Sequence, residues 1–351
     1  MSQAKVQGRG RGGGPTHRPT IKDVASKAKV SVGTVSRVLN GNKSVGADIK
    51  ARVERTIAQL DYQPDAVAQG MRSGSMRSVG FIIRDITVPA LAAFVKAAQA
   101  VCHDEGYTLV IGCSDDRPRR EVELLEALRR RVDGLIMTTA SEEEPELNAV
   151  RNALDIPLVL MDREASGNVD SVTIAQREGM YRAVKYLLSL GHRRIALVTG
   201  ATDVLSSRER VQGYKDAFAE LGVAVDSDLI RTHSFTADFA YMAVSALLRG
   251  RNRPTAVVAG GISMLTGILR AISTERLRIP QDISVIGAGD SELAELIKPP
   301  VTVVRWNYNA VGEAGAKLVI DRIHDRSLPP RRLHFPTELI IRESCAPPKK
   351  G

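Results

Sequence analysis

Apolar residues along the chain follow two different rhythms, and the change comes near residue 78. Before it the spacing is helical. Ile21, Val24, Ala25 and Ala28 recur at intervals of three and four and define one face of a short helix. Thr20 stands where it can cap that helix, and Asp23 occupies the third position, where an acid suits the positive end. Val30 and Ser31 interrupt the pattern. Ser31 can cap a second helix, Val32 to Leu39, with Val35, Val38 and Leu39 facing inward. Two short helices joined by a turn of three or four residues have helix-turn-helix spacing. Ile49, Val53, Ile57 and Leu60 form a third amphipathic stretch, which closes a small core with Tyr62 before Pro64 breaks the chain. Residues 65–72 can make about two helical turns, with Val67 and Met71 at i, i+4. So short a helix is marginal alone, and Gly70 weakens it further. Ser73, Gly74 and Ser75 read as linker.

From Val79 onward, short apolar runs alternate with amphipathic stretches. Strands are expected at Val79–Ile83, Thr108–Ile111, Gly134–Met137, Leu158–Met161, Ile195–Val198, Ala256–Ala259 and Ser284–Ile286. Helices fall between them, for example at 91–104, 119–130, 177–190, 208–221, 237–249 and 264–274. This alternation implies right-handed βαβ units and parallel sheets covered on both faces. The 274 residues after Arg77 are long for one such sheet, so two α/β lobes are expected. Ligands of open parallel sheets bind beyond the carboxyl ends of the strands, which places a cleft between the lobes.

Charge sharpens the division. Residues 1–77 hold 14 Lys and Arg against 5 Asp and Glu, a net of +9, whereas the other 274 residues hold 35 of each. A basic head on a neutral body points to nucleic acid or another anionic surface. The three cysteines, Cys102, Cys113 and Cys345, are too few for a disulfide framework and form no C-x-x-C pair. No apolar run approaches the roughly 18 residues of a membrane span, and the Gly/Arg-rich N-terminus lacks the apolar core of a signal peptide. A cytoplasmic setting without a membrane partner is expected. Residues 1–17 read as a disordered basic tail. Gly8, Gly10 and Gly13 spell G-x-G-x-x-G, but no strand precedes them and no helix follows, so the match is accidental. There is no phosphate-binding G-x-x-x-x-G-K-[ST], no G-x-S-x-G and no His/Cys cluster with metal spacing. Neither an enzyme, a cofactor nor a metal is expected.

The run from Thr20 to Gly41, TIKDVASKAKVSVGTVSRVLNG, strongly resembles the DNA-binding head of the lactose-repressor (LacI) family of bacterial transcription regulators. The resemblance continues through LDYQPDAVAQGMR and then through VDGLI, IPLVLMDR, LGHRRIALVTG, RERVQGY, RPTAVV and RIPQDISVIG, about 320 residues in all. It implies an α-helical helix-turn-helix head on a two-lobed α/β effector domain of periplasmic-binding-protein type. The expected divisions are a tail at 1–17, the head at 18–63, a hinge helix and linker at 64–77, the effector and dimerisation domain at 78–345, and a tail at 346–351. Function follows as an expectation. A homodimer clamps a palindromic double-stranded DNA operator, most simply as a repressor associated with the nucleoid, under control of a small-molecule effector. The alternative is a DNA-binding regulator or architectural protein whose cleft no longer takes a ligand. The last segment, ESCAPPKKG, shows no heptads of a tetramerising coil.

By the same resemblance Val32, Gly33 and Arg37 are the base-reading positions, and Asn40 shares their outward face. Arg37 suits a bidentate contact with guanine, and Val32 suits a thymine methyl. Thr20, Thr34 and Ser36 suit phosphate contacts, which position without specifying. Met71 aligns with an apolar wedge that opens the minor groove, with Ala68 allowing two hinge helices to approach and Arg72 reaching acceptors or phosphate. Lys29 stands at a turn position where the family has glycine.

In the body, Asp162 and Arg210 occupy ligand-binding positions of the family, Phe235 an aromatic one, Arg84 a cleft position and Trp306 a lobe crossover. Gly261, Ile262 and Gly289 replace polar residues that accept sugar hydroxyls. Arg84 and Arg210 against the single carboxylate of Asp162 suggest an anionic effector, such as a sugar acid, another organic acid or a phosphorylated metabolite.

Overall fold

The computed structural model describes residues 19–39, 44–62, 75–165 and 167–349. The chain divides into two compact units, Met1–Met76 and Arg77–Gly351.

Among its described residues the first unit has three helices, α1 (Ile21–Lys27), α2 (Val32–Leu39) and α3 (Ala47–Leu60). Thr20 and Asp23 form a capping box: the Asp23 carboxylate accepts from Thr20 N at 2.7 Å, and Thr20 Oγ1 accepts from Asp23 N at 3.4 Å. Two of the amides that a helix start leaves unpaired are thereby satisfied. Replacing Thr20 by alanine is expected to cost about 1 kcal/mol, read as faster amide exchange confined to α1. Lys29 follows α1 with φ 53, in the left-handed region, and Val30 N donates back to Ala25 O at 3.0 Å. The turn therefore does demand the conformation that glycine adopts freely, and the lysine carries a penalty of roughly 1–2 kcal/mol. Ser31 Oγ caps α2 by accepting from Thr34 N at 3.1 Å. Val24, Ala25, Ala28, Val35, Val38, Val53 and Tyr62 make the core, and Ile21, Leu39, Ile49, Ile57 and Leu60 pack against it partly buried.

The second unit has two six-stranded sheets. The first runs β11–β5–β4–β3–β1–β2, all parallel. Its strands are β1 (Ser78–Ile83), β2 (Thr108–Cys113), β3 (Gly134–Met137), β4 (Leu158–Met161), β5 (Asp170–Ile174) and β11 (Arg332–Phe335). The second sheet runs β12–β10–β9–β8–β6–β7, with only β12 antiparallel. It comprises β6 (Ile195–Gly200), β7 (Ile230–His233), β8 (Ala256–Ala259), β9 (Ser284–Ala288), β10 (Thr302–Arg305) and β12 (Glu338–Ile340). The helices of the first lobe are α4 (Pro89–Asp104), α5 (Pro118–Leu128), α6 (Pro145–Asn152) and α12 (Tyr308–His324); those of the second are α7 (Gln176–Ser189), α8 (Leu205–Glu220), α9 (Ala237–Arg249), α10 (Ile262–Thr274) and the short α11 (Glu292–Leu296). The chain crosses between lobes three times: from β5 to α7, from β10 to α12, and from β11 to β12.

Three helix pairs pack backbone to backbone through a glycine. A Cβ at Gly312 would lie 2.3 Å from Phe94 O, one at Gly213 2.1 Å from Arg177 O, and one at Gly267 1.9 Å from Ala237 O. These approaches leave no room for a side chain. Register aligns the strand ends: Ile82 pairs with Met137 and Met137 with Leu160. Residues just past β1, β3 and β4 therefore share one edge of the first sheet. The end of the chain is fastened to the second lobe, where Ala346 O lies 3.0 Å from His192 Nε2 and Lys349 pairs with Asp282 at 2.6 Å. Among the described residues no helix is long and apolar enough to cross a membrane.

Candidate functional site

In the first unit, Val32, Gly33 and Arg37 are exposed on the outer face of α2, opposite buried Val35 and Val38. Arg37 lies one turn beyond Gly33, and a Cβ at Gly33 would stand 3.9 Å from Arg37 Nη2. A Cβ there would make only ordinary contact with the guanidinium. Ser36 is half-buried. The hydroxyls of Thr20 and Thr34 are engaged in caps, Thr34 Oγ1 lying 2.9 Å from Ser31 Oγ. Each hydroxyl retains acceptor capacity for a further partner. Asn40, Ala68, Met71 and Arg72 lie outside the described residues, as does the expected tail at 1–17.

In the second unit, the carboxyl ends of the strands converge on a cavity of about 100 Å³ between the lobes. Arg84, Asp162, Arg210, Phe235 and Trp306 all line it. Arg84 follows β1, Asp162 follows β4, Phe235 follows β7 and Trp306 follows β10, while Arg210 projects from α8. Asp162 has φ 52. Its carboxylate accepts from Gln176 Nε2 at 2.8 Å and from Ile174 N at 3.3 Å. Gln176 Oε1 in turn accepts from Arg210 Nε at 3.1 Å. Asp162 and Arg210, which belong to different lobes, are therefore coupled through the first residue of the crossover helix.

Phe235 lies between two cations. The guanidinium carbon of Arg84 is 5.1 Å from its ring centre and that of Arg210 is 5.6 Å away, both within cation–π range. Arg84 also pairs with Asp116 at 3.5 Å, not with Asp85 or Asp162. Arg210 is 5% exposed, yet its only hydrogen bond among the described residues is the one through Nε; neither terminal nitrogen has a partner. Burial pulls this guanidinium down to about 10, against the opposing pull of Asp162. Burial likewise raises the Asp162 carboxyl, opposed by Arg210 and Arg163, and lowers Arg84, opposed by Asp116.

Sequence reasoning missed several members of this site. Arg163 is buried in the same wall, donating through Nε to Thr139 O at 2.7 Å and through Nη1 to Asp162 O at 2.9 Å and Ser206 Oγ at 3.4 Å. The arginine beside Asp162 in IPLVLMDR was the available signal. Gln176 and Ser206 had none, because their roles depend on the path of the crossover. Among the described residues, no group of three or more His, Cys, Asp or Glu side chains is placed to hold a metal ion.

Comparison with known proteins matches residues 20–65 to the model of bacterial regulatory proteins of the lacI family and residues 184–345 to that of a periplasmic binding protein-like domain. A protein named HTH-type transcriptional repressor PurR, from Vibrio vulnificus (strain CMCP6), is 32% identical over 329 residues, covering 93% of this chain and 98% of its own length. The chain belongs to the lacI family of bacterial regulatory proteins. The Ribose operon repressor of Escherichia coli (strain K12) is also 32% identical, over 328 residues, with 93% of this chain and 99% of its own length covered. Among solved structures, the lac repressor dimer bound to operator and the anti-inducer ONPF aligns with a TM-score of 0.80 at 25% identity, covering 93% of this chain and 99% of that one. As a lacI-family member, the chain is a DNA-binding transcription regulator with a helix-turn-helix head and a two-lobed periplasmic-binding-protein-like body.

Proposed function

We propose that this lacI-family regulator is a repressor that binds a palindromic DNA operator as a homodimer, and that a small anion in the interlobe cavity controls it. Repression is supported by the relatives, both of which are named repressors. Operator reading is assigned to Val32, Gly33 and Arg37 on the exposed face of α2, with phosphate contacts from Thr20, Thr34 and Ser36. The hinge positions Ala68, Met71 and Arg72 are assigned to the minor groove on the resemblance alone.

One observation carries the choice of an anion: Arg210 is almost fully buried at the cavity with both terminal nitrogens unpartnered. Its terminal nitrogens are the donors left open at the cavity, and a carboxylate or phosphate would engage both with bidentate geometry. Arg84 and Arg163 line the same cavity, so three guanidiniums face Asp162 and the Asp116 that pairs with Arg84. Because Arg210 reaches the site from the second lobe and Arg84 from the first, an anion held by both favours one lobe arrangement. Such differential affinity is the requirement for control of the heads.

The test is operator binding by the full chain, on a duplex selected from a random pool, titrated with matched organic acids and neutral sugars. An acid is expected to change operator affinity at least tenfold, and Arg210→Ala to remove that response while retaining operator binding. A neutral sugar that binds tightly to wild type and equally well to Arg210→Ala would overturn the assignment.

A further inference from the structure

The side of this cavity formed by the second lobe carries few hydrogen-bonding side chains, whereas a neighbouring cavity that shares Arg84, Val88, Arg163 and Phe235 is lined by His233, Ser234 and Thr236. Phe235, Gly261, Ile262 and Ala288 line the first of these, leaving Ser206 and Arg210 as the polar side chains that this lobe contributes to it. The loss is enforced by packing. A Cβ at Gly200 would lie 2.2 Å from the Phe235 ring, and one at Gly261 3.1 Å from it. A Cβ at Gly289 would lie 2.4 Å from Ile262 Cγ1 and 2.8 Å from Tyr308 Oη. The two apolar side chains thus crowd the space over three glycines: a side chain at 289 would displace Ile262, and one at 261 would press on the Phe235 ring. Opposite, the first lobe contributes Val88, Leu91, Phe94 and Ile174.

We propose that the ligand is a small carboxylate with an apolar body, of the size and class of benzoate or a branched short-chain acid, and not a polyhydroxylated acid. The inference rests on the assignment of this cavity to an anionic effector. The charged end meets the unpartnered terminal nitrogens of Arg210, with Arg84 and Arg163 beside it. The body lies against Phe235, Ile262 and Ile174. On the second-lobe side a sugar acid would bury hydroxyls against Phe235, Ile262 and Ala288, whose side chains can neither donate nor accept, and each unpaired hydroxyl costs affinity. Two buried groups lining the cavity, Trp306 Nε1 and Thr138 Oγ1, lack partners among the described residues. They offer partners to one or two polar atoms on the ligand.

The full chain is titrated calorimetrically with benzoate, 3-methylbutanoate, benzamide, gluconate and ribose. Benzoate or 3-methylbutanoate is expected to bind at least 30-fold more tightly than gluconate, and benzamide at least 30-fold more weakly than benzoate. Ile262→Asn, checked for an unchanged melting profile, is expected to reduce that preference over gluconate at least tenfold. Ile262→Val should keep it. Gluconate binding as tightly as the apolar acids would overturn this inference and leave the anionic assignment standing. Benzamide equal to benzoate, tight binding of ribose, or no binding of any acid would overturn both.

Discussion

Replacing Glu142 by alanine is expected to weaken effector binding about 100-fold without unfolding either lobe. Glu142 lies in the segment after β3, in the first lobe, and its side chain is 8% exposed. Its carboxylate accepts from Leu205 N at 3.0 and 3.1 Å, from Glu164 N at 2.9 Å and from Arg208 Nη2 at 2.8 Å. Leu205 opens α8, so an anion sits against unpaired amides and the positive end of a helix belonging to the other lobe. Glu142 N also donates to Asp203 O at 3.1 Å, and Arg163 crosses to Ser206 at 3.4 Å. The same helix carries Arg210, so what Glu142 holds against the first lobe is the element that carries the guanidinium proposed to meet the anion. Removing one partner of a buried charged contact costs about 3–5 kcal/mol. Part of that is recovered because Arg208 keeps Glu164, but that pair is more exposed and contributes less. A net loss of about 2–3 kcal/mol corresponds to a factor of roughly 30–150. Calorimetric titration with the acid to which wild type responds, beside a thermal melt, measures it. Glu142→Gln should fall between. Unchanged affinity in both variants would show that lobe bridging at Glu142 is unconnected to binding.

The parts of the fold that can be read from sequence are those whose burial is uniform. Gly134–Met137, Leu158–Met161 and Ala256–Ala259 are continuous apolar runs buried on both faces, and the structure gives those same boundaries. The strands that escape the pattern are of three kinds, one of them β10, a buried inner strand whose apolar run is only two residues long in TVVR. β7 (IRTH) and β12 (ELI) lie at the two edges of the second sheet and β11 (RLHF) at an edge of the first, where exposed and half-buried residues show no apolar run. β5 begins with Asp170, whose charge disguises a buried strand. Arg322 reaches it bidentately at 2.6 and 2.9 Å, a partner 152 residues away that spacing cannot reveal. α12 is equally hidden. It contains Gly312 and Gly315 and buries residues around much of its circumference between α4 and the sheet, so no clean stripe marks it. At the site, Arg84, Asp162, Arg210, Phe235 and Trp306 come from five separate stretches and were nameable only through the family resemblance. Arg163, Gln176 and Glu142 escaped because their contacts follow from backbone turns, such as the positive φ of Asp162, that composition and periodicity do not encode.

Arg37→Ala is expected to reduce specific operator affinity by about 1–3 kcal/mol, roughly 5- to 150-fold, and to relax sequence preference at one base pair in each half-site. The magnitude follows from what surrounds the side chain. Arg37 is exposed on α2, and neighbouring Gly33 offers the DNA no side chain of its own. Fewer side chains then share the reading, and more of the discrimination falls on the guanidinium and the exposed Val32. Arg37 also makes no ion pair among the described residues, so its removal breaks nothing within the head and the loss is confined to binding. Arg37→Lys separates charge from geometry. Lysine keeps the positive charge and its counterion release, so binding to random duplex and its salt dependence should stay close to wild type. It cannot reproduce the rigid two-pronged donor set, so specific affinity should still fall. Competition binding at several salt concentrations, on the selected operator and on single-base variants of it, distinguishes these outcomes. If Arg37→Ala lowers operator and random-duplex binding by the same factor and leaves the base preference intact, Arg37 contacts phosphate, and specificity must be sought in Val32, Gly33 and the hinge.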